Sequence, residues 1–145
     1  MSEENKALLR RVVEEGYNKH NLALLEEVYA DCVCYRPETG EIKGEALKQL
    51  LTSVLAAFPD IRVTVEDQVA EGDKVAGRWS LTGTHQGHFM GLAPTGKQVT
   101  VSGMTSSRIV GGKNVEERVE MDTLRFFQQL GGVPPLGKAE DKAAA

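Results

Sequence analysis

The sequence predicts an α+β domain, because segments with a helical spacing of apolar residues come first and alternating segments follow them. The helical segments lie within residues 1–58. Beyond Pro59 apolar and polar side chains alternate, as in Ile61 and Val63. Glycine-containing turns at 71–73 and 111–112 separate the alternating segments. This order predicts helices packed against an antiparallel sheet.

Three helices are predicted. The first covers residues 3–20, where the apolar side chains fall on one face and Ser2 is the predicted N-cap. Asn21 is suited to cap a second helix that ends at Tyr29. The third helix covers residues 44–58, and the proline after it disfavours helical geometry in the preceding residue.

The strands are predicted from their alternating pattern and from the turns between them. They cover residues 31–36, 61–66, 74–84, 98–110 and 114–126. The segment 132–145 is rich in Gly, Pro and Ala and has no periodic apolar face, so we expect a flexible tail after one domain, 1–131.

Length and charge narrow the classes of function. The 145 residues suffice for a single core. There are 17 Lys and Arg against 21 Asp and Glu, without a basic cluster, which argues against a nucleic-acid partner. No apolar run approaches the ~20 residues that span a bilayer, and the N-terminus does not resemble a signal peptide. We therefore expect a soluble, cytoplasmic protein with no membrane partner.

The cysteines and histidines do not form a recognisable metal motif. Cys32 and Cys34 are two residues apart, which favours neither a disulfide framework nor a zinc site. His85 and His88 are three apart, but no third ligand accompanies them. No metal and no other cofactor are expected.

The last predicted strand carries a row of charged side chains. A period of two places Glu116, Arg118, Glu120 and Asp122 on one face. Such a row faces either solvent or a polar cavity, and the pattern alone leaves both possibilities open.

Two segments together resemble a known family. Residues 83–97 read GTHQGHFMGLAPTGK, and residues 116–122 read EERVEMD shortly before QQLG at 128–131. The chain resembles, from about residue 5 to 131, the SnoaL-like polyketide cyclases of the nuclear transport factor 2-like superfamily. The resemblance implies a cone-shaped α+β barrel in which three N-terminal helices pack on a strongly curved antiparallel sheet around a largely apolar pocket.

The resemblance also implies a function and an assembly. It implies a cofactor-independent cyclase or isomerase, a lyase-type or isomerase-type enzyme acting on a small carbonyl or polyketide-like compound. Asp122 would be the general acid/base. His85 would orient substrate or relay a proton, or would only hydrogen-bond a backbone carbonyl. A homodimer would form through an open sheet face carrying Val99, Val101 and Ile109.

Several residues are candidates for binding the substrate. They are Arg118, Glu120, Tyr17, Phe58, Trp79, Phe89, Met90 and Met104. Arg118 and Met121 stand where many members of the family have tryptophan, so the pocket is expected to be reshaped and its substrate stays unassigned. Two alternatives remain open: an epoxide hydrolase that uses Arg118, Glu120 and Asp122, and a non-catalytic ligand-binding or dimerisation module.

Overall fold

A computed structural model describes residues 2–133. Most of the tail predicted at 132–145 therefore lies outside the described residues. The helices are α1 (Ser2–Arg11), α2 (Leu22–Tyr29), α3 (Gly44–Ala57) and α4 (Thr123–Gln129). The strands are β1 (Val33–Arg36), β2 (Gly40–Lys43), β3 (Arg62–Glu71), β4 (Lys74–Thr84), β5 (Gln98–Val110) and β6 (Lys113–Met121). None of the helices in this part of the chain is long and apolar enough to cross a membrane.

The strands form one mixed sheet in the order β2-β1-β6-β5-β4-β3. Strands β3 to β6 form the predicted antiparallel meander, whereas β1 pairs parallel with β6. The prediction of a purely antiparallel sheet was therefore wrong for this pair, because short-range periodicity carries no information about the direction of a distant strand. No pairing joins β2 to β3 within residues 2–133, so the α+β sheet is open rather than a closed barrel.

The first helix departs from the predicted form. It includes Ser2, which is therefore not an N-cap, and it passes into a π-helical segment, Val12–Tyr17. Gly16 lies in this segment, and a Cβ atom there would lie 2.6 Å from a methyl carbon of Leu25. The absence of a side chain at Gly16 thus lets α2 pack closely against the first helix.

The second helix begins as predicted. The side-chain oxygen of Asn21 accepts a hydrogen bond of 3.1 Å from the backbone N–H of Leu24. This bond satisfies one of the free donors in the first turn of α2.

The last predicted strand, 114–126, ends earlier than expected. β6 stops at Met121, and Asp122 is the N-cap of α4, with its carboxylate accepting a 3.0 Å hydrogen bond from the backbone N–H of Arg125. The helix buries Phe126 and Leu130, which are four residues apart. A capping aspartate followed by apolar residues at helical spacing therefore outweighs the strand pattern.

The charged row of β6 faces solvent rather than a polar cavity, which were the two orientations that the sequence pattern left open. Glu117 and Val119 are buried on the face that meets the helices, while Arg118 and Glu120 are exposed on the opposite, outer face. The charged row therefore faces away from the interior, because the strand places its apolar side chains in the core.

The sheet face proposed for dimer formation is also corrected. Val99, Val101 and Ile109 are only 1%, 3% and 4% exposed, so they are covered within the single chain. Because they are covered, they cannot form an open face.

Candidate functional site

A cavity of about 160 Å³ lies between the helices and the inner face of the sheet. Most of its wall is apolar. The apolar lining residues include Val12, Val13, Leu50, Leu51, Val54, Leu81, Val101 and Val119. Such a largely apolar space with a few polar groups is typical of a small-molecule site.

One end of the cavity is aromatic. The ring centroid of Phe58 lies 5.6 Å from that of Phe89 and 5.9 Å from that of Phe126. Phe58 also packs over Gly83, where a Cβ atom would lie 3.3 Å from the phenylalanine side chain. The tilted and edge-to-face rings make a stable apolar surface here.

Trp79 forms a fixed part of the wall. Its indole Nε1 donates a 2.8 Å hydrogen bond to the Thr105 hydroxyl. Its ring crosses Gly103, where a Cβ atom would lie 2.5 Å from Trp79 Cζ2. Gly103 is therefore needed to leave room for the indole.

The opposite end is polar and contains Glu117. This side chain is 6% exposed, accepts a 2.8 Å hydrogen bond from the Asn114 amide and another from the Tyr29 hydroxyl. Burial raises the pKa of Glu117, and the Tyr29 hydrogen bond, the Arg36 charge and the Asn114 hydrogen bond only partly oppose it. The carboxyl group is thus suited to exchanging a proton at higher pH than an exposed glutamate would.

Asn114 holds Glu117 in place. It is fully buried, and its amide nitrogen also donates to the Ser107 hydroxyl at 3.2 Å. The Cys32 thiol donates to the amide oxygen of Asn114 at 3.9 Å. Both polar atoms of the amide are therefore occupied, which fixes the orientation of its bond to Glu117.

An ion pair completes the polar end. Arg36 binds Glu38, and their side chains are 16% and 8% exposed. Both residues line the cavity. Gln68 lines it as well, and its amide nitrogen donates to the backbone oxygen of Lys6 at 3.2 Å.

The strand register explains why the two ends differ. Thr105 lies opposite Gly77 and Val119, and Gly77 lies opposite Gln68. One rung further along the sheet, Glu117 lies opposite a serine of β5. The aromatic end lies beside Val99, because Phe58 packs on Gly83 and Gly83 lies opposite Val99. Val99 is six residues from Thr105, which corresponds to about 20 Å along β5.

Four of the residues predicted to bind substrate line the cavity. They are Tyr17, Phe58, Trp79 and Phe89. Burial raises the pKa of Tyr17 well above its usual range, so its phenol stays protonated at the polar end.

The other predicted residues lie outside the cavity. Asp122 is exposed at the start of α4, and Met104 is 58% exposed on the outer face. Glu120 shares this face with Arg118, whose guanidinium carbon lies 4.1 Å from the ring centroid of Tyr35. The assignment of Asp122, Arg118 and Glu120 to one internal network is therefore not supported by their positions.

Met90 is directed away from the cavity by a tight turn. Phe89 and Leu92 exchange backbone hydrogen bonds of 3.0 and 2.9 Å, and the intervening Met90 and Gly91 have φ values of 49° and 79°. Positive φ at both central residues is typical of a type I′ turn. The turn buries Phe89 and leaves Met90 39% exposed.

His85 is buried beside the aromatic end but is not a lining residue. Its ring stacks on Phe58 at 5.6 Å, and its Nδ1 accepts a 3.3 Å hydrogen bond from the backbone N–H of Thr95. The ring nitrogen thus binds a backbone donor rather than the expected carbonyl, and it ties the two ends of the 85–97 loop together. His88 is exposed, and no three potential ligands converge within residues 2–133.

Sequence reasoning missed the polar residues of the cavity. Glu117 left a usable signal, since it is a single carboxylate among Val115, Val119 and Met121 on the apolar side of β6. Arg36 and Glu38 left none, because a charged pair next to a proline is typical of a surface turn.

Comparison with known proteins identifies relatives. The family model of the SnoaL-like polyketide cyclases matches residues 7–130. AclR from Streptomyces galilaeus, a proposed hydroxylase, is 33% identical with a TM-score of 0.82, covering 92% of this chain and 100% of its own. IdmH from Streptomyces antibioticus, a proposed polyketide cyclase, is 31% identical with a TM-score of 0.73, covering 88% and 98%.

A third solved structure agrees with these. A proposed SnoaL-like polyketide cyclase from Jannaschia sp. CCS1 is 25% identical with a TM-score of 0.81, covering 92% of this chain and 95% of its own. No curated protein matches the chain significantly.

Proposed function

The chain belongs to the SnoaL-like polyketide cyclase family, and from this premise we propose that it is a cofactor-independent cyclase or isomerase of a small carbonyl compound. The observation that carries the proposal is the carboxyl group of Glu117. It is buried at the polar end of an otherwise apolar cavity, and two hydrogen bonds hold it. The polyketide cyclase descriptions of similar structures agree with this class of chemistry.

In the proposed reaction the Glu117 carboxylate removes a proton from the carbon next to a carbonyl group. The C–H electrons form the carbon–carbon double bond of an enolate, and Glu117 holds the proton. The enolate carbon then attacks a second carbonyl of the same molecule, whose π electrons move to its oxygen, and this oxygen takes the proton back from Glu117. In an isomerisation, Glu117 instead returns the proton to the enolate at another position. The raised pKa makes the Glu117 carboxylate a stronger base than an exposed one.

A neighbouring hydroxyl group stabilises the enolate oxygen. The phenol of Tyr17 lines the same end of the cavity and is a hydrogen-bond donor, whereas Arg36 is paired with Glu38. Donors held in a water-poor site stabilise developing negative charge more than they would in water.

The position of Asp122 favours Glu117 as the acid/base. The Asp122 carboxylate is exposed and already caps α4, whereas Glu117 lines the cavity. His85 is assigned to holding the 85–97 loop.

The first prediction compares these two carboxylates. Glu117→Gln keeps the shape of the side chain but cannot accept the proton, so turnover should fall by ~10²–10⁴-fold. Asp122→Asn keeps the capping oxygen and should leave turnover close to wild type. The measurement is exchange of α-hydrogens of a β-diketone panel for solvent deuterium, followed by mass spectrometry. A large loss in Asp122→Asn with full activity in Glu117→Gln would reverse the assignment.

The same assay separates other functions. Aldol closure or isomerisation leaves the product mass unchanged or lowers it by one water, whereas hydroxylation adds an oxygen. Hydroxylation is the second candidate because of the 33% identity to AclR. If the wild type neither exchanges deuterium nor converts any compound to a product, the catalytic proposal fails and the chain is a binding module.

The residues proposed for epoxide hydrolysis, Arg118, Glu120 and Asp122, do not line the cavity, so the proposal does not extend to epoxides.

A further inference from the structure

Two hydrogen-bond acceptors at the polar end have no partner within residues 2–133. They are Oε2 of Glu38 and Oε1 of Gln68, and both atoms are buried. Both residues line the cavity, and the Glu38 side chain is only 8% exposed. A buried acceptor that is not hydrogen-bonded is unfavourable, so a cavity ligand that donates to it gains affinity.

The charges around these acceptors are already balanced. The cations that line the cavity are Arg36 and Arg78. Arg36 pairs with Glu38, and Arg78 lies 3.3 Å from Asp67. Among the cavity-lining residues within 2–133, no cation is therefore left over for an anionic ligand.

We propose that the polar end is a subsite for hydroxyl groups, so that the ligand is an uncharged compound whose alcohol or phenol donates to Gln68 Oε1 or Glu38 Oε2. The apolar remainder of the ligand lies along Trp79 toward the aromatic end. This inference deepens the proposed function by naming the substrate as a hydroxyl-bearing carbonyl compound, and it rests on that function only for the carbonyl chemistry.

The geometry favours a hydroxyl over other polar groups. An ether or ketone brings only acceptors to two groups that themselves only accept. A carboxylate would add a negative charge next to Glu38 and Glu117, and burial makes such a charge costly. An ammonium group would find Glu38 already paired with Arg36, and burial raises the pKa of Glu117, which disfavours the charged form of that second carboxyl group.

The test measures binding of two probes that differ only at the hydroxyl group. The probes are para-cyclohexylphenol and its methyl ether, para-cyclohexylanisole. Trp79 is the only tryptophan in the sequence and lines the cavity, so its fluorescence reports occupancy. The phenol should bind about tenfold more tightly than the ether, which corresponds to ~1.4 kcal/mol.

Two variants assign the preference to the subsite. Gln68→Met removes the unpaired oxygen and should reduce the phenol preference to about threefold or less. Glu38→Gln places an amide donor where the acceptor lies and should reduce it similarly, which provides a second readout if Gln68→Met folds poorly. The matched control is Gln86→Met, the same substitution at an exposed position, and it should keep the full preference.

Three outcomes would overturn the inference. The wild type could bind phenol and ether equally, it could fail to bind the phenol at millimolar concentration, or both subsite variants could keep the full preference. Because binding is measured without turnover, the two proposals fail separately. A phenol-selective protein that exchanges no deuterium refutes the proposed reaction alone. An active enzyme that binds phenol and ether equally refutes the hydroxyl subsite alone.

Discussion

At the scale of single residues, burial decides the chemistry of Glu117. A carboxylate in an apolar cavity loses hydration, and this raises its pKa even though Tyr29 and Asn114 donate hydrogen bonds to it. Asp122 shows the opposite situation, because it stays in water and its carboxylate serves the backbone of α4. Two carboxylates five residues apart therefore have different roles.

The raised pKa of Glu117 predicts a pH-dependent stability. The unfolded chain releases this proton near 4.5, the ordinary carboxyl value, while the folded chain holds it to higher pH. The stabilising contribution is therefore complete below 4.5 and is lost as pH rises through the folded pKa. The melting temperature of Glu117→Gln minus that of wild type should increase as pH rises from about 4.5 to neutrality.

The control for this measurement is Glu41→Gln, since Glu41 is exposed on β2. Its melting temperature should follow that of wild type across the same pH range. If the melting temperature of Glu117→Gln minus that of wild type decreases with rising pH, the folded chain holds the Glu117 carboxylate in its charged form.

The cysteines provide a second test at this scale. Cys32 and Cys34 are each 1% exposed, and burial raises the pKa of Cys34 to about 12 and that of Cys32 well above its usual range. Because the thiolate is the reactive form, neither should react with Ellman's reagent in the native protein. Both should react after denaturation. Rapid labelling of a native thiol would contradict the placement of these residues in the core.

At the scale of elements, the junction of β6 and α4 shapes the aromatic end of the cavity. Asp122 ends the strand and begins the helix, and α4 then brings Phe126 to within 5.9 Å of Phe58. The cap thus contributes to the site through the position of the helix rather than through proton transfer.

Replacing the capping carboxylate should therefore change stability more than activity. Asp122→Ala should lower the free energy of unfolding by ~1 kcal/mol, because α4 loses its capping hydrogen bond. Asp122→Asn retains a capping oxygen, so the free energy of unfolding should fall by only a few tenths of the loss seen in Asp122→Ala. Urea titrations of both variants measure the effect. An alanine variant with unchanged stability would mean that the cap does not hold α4.

At the scale of the whole molecule, the sheet covers the cavity with one face and exposes the other. On the outer face Met104 is 58% exposed and lies opposite Arg78 of β4 and Glu120 of β6. Arg118 and Tyr35 form a cation–π contact on this face. The open sheet leaves this outer face, rather than the covered inner one, accessible to a second copy of the chain.

The homodimer remains a prediction, and the predicted contact surface is now the outer face of the sheet instead of the face that carries Val99, Val101 and Ile109. Light scattering should give about twice the 15.8 kDa of one chain at micromolar concentration. Met104→Glu should shift the protein toward monomer, because it places charge at the contact. Leu124→Glu is the control, since Leu124 is 45% exposed on α4 rather than on the sheet. A monomeric wild type would contradict the prediction.

The α+β class and most of the element positions follow from local sequence patterns. The cap at Asn21 and the bounds of β4 and β5, 74–84 and 98–110, were predicted as found. These features depend on local spacing and on turn residues, which the sequence states directly.

The residues of the cavity come together through long-range packing. The parallel pairing of β1 with β6 and the inward face of β6 depend on register between distant segments, which periodicity does not encode. The polar end joins Arg36 and Glu38 near β1, Gln68 of β3 and Glu117 of β6. Only Glu117 stands out in its own segment, and all four residues become chemically distinct where packing removes water around them.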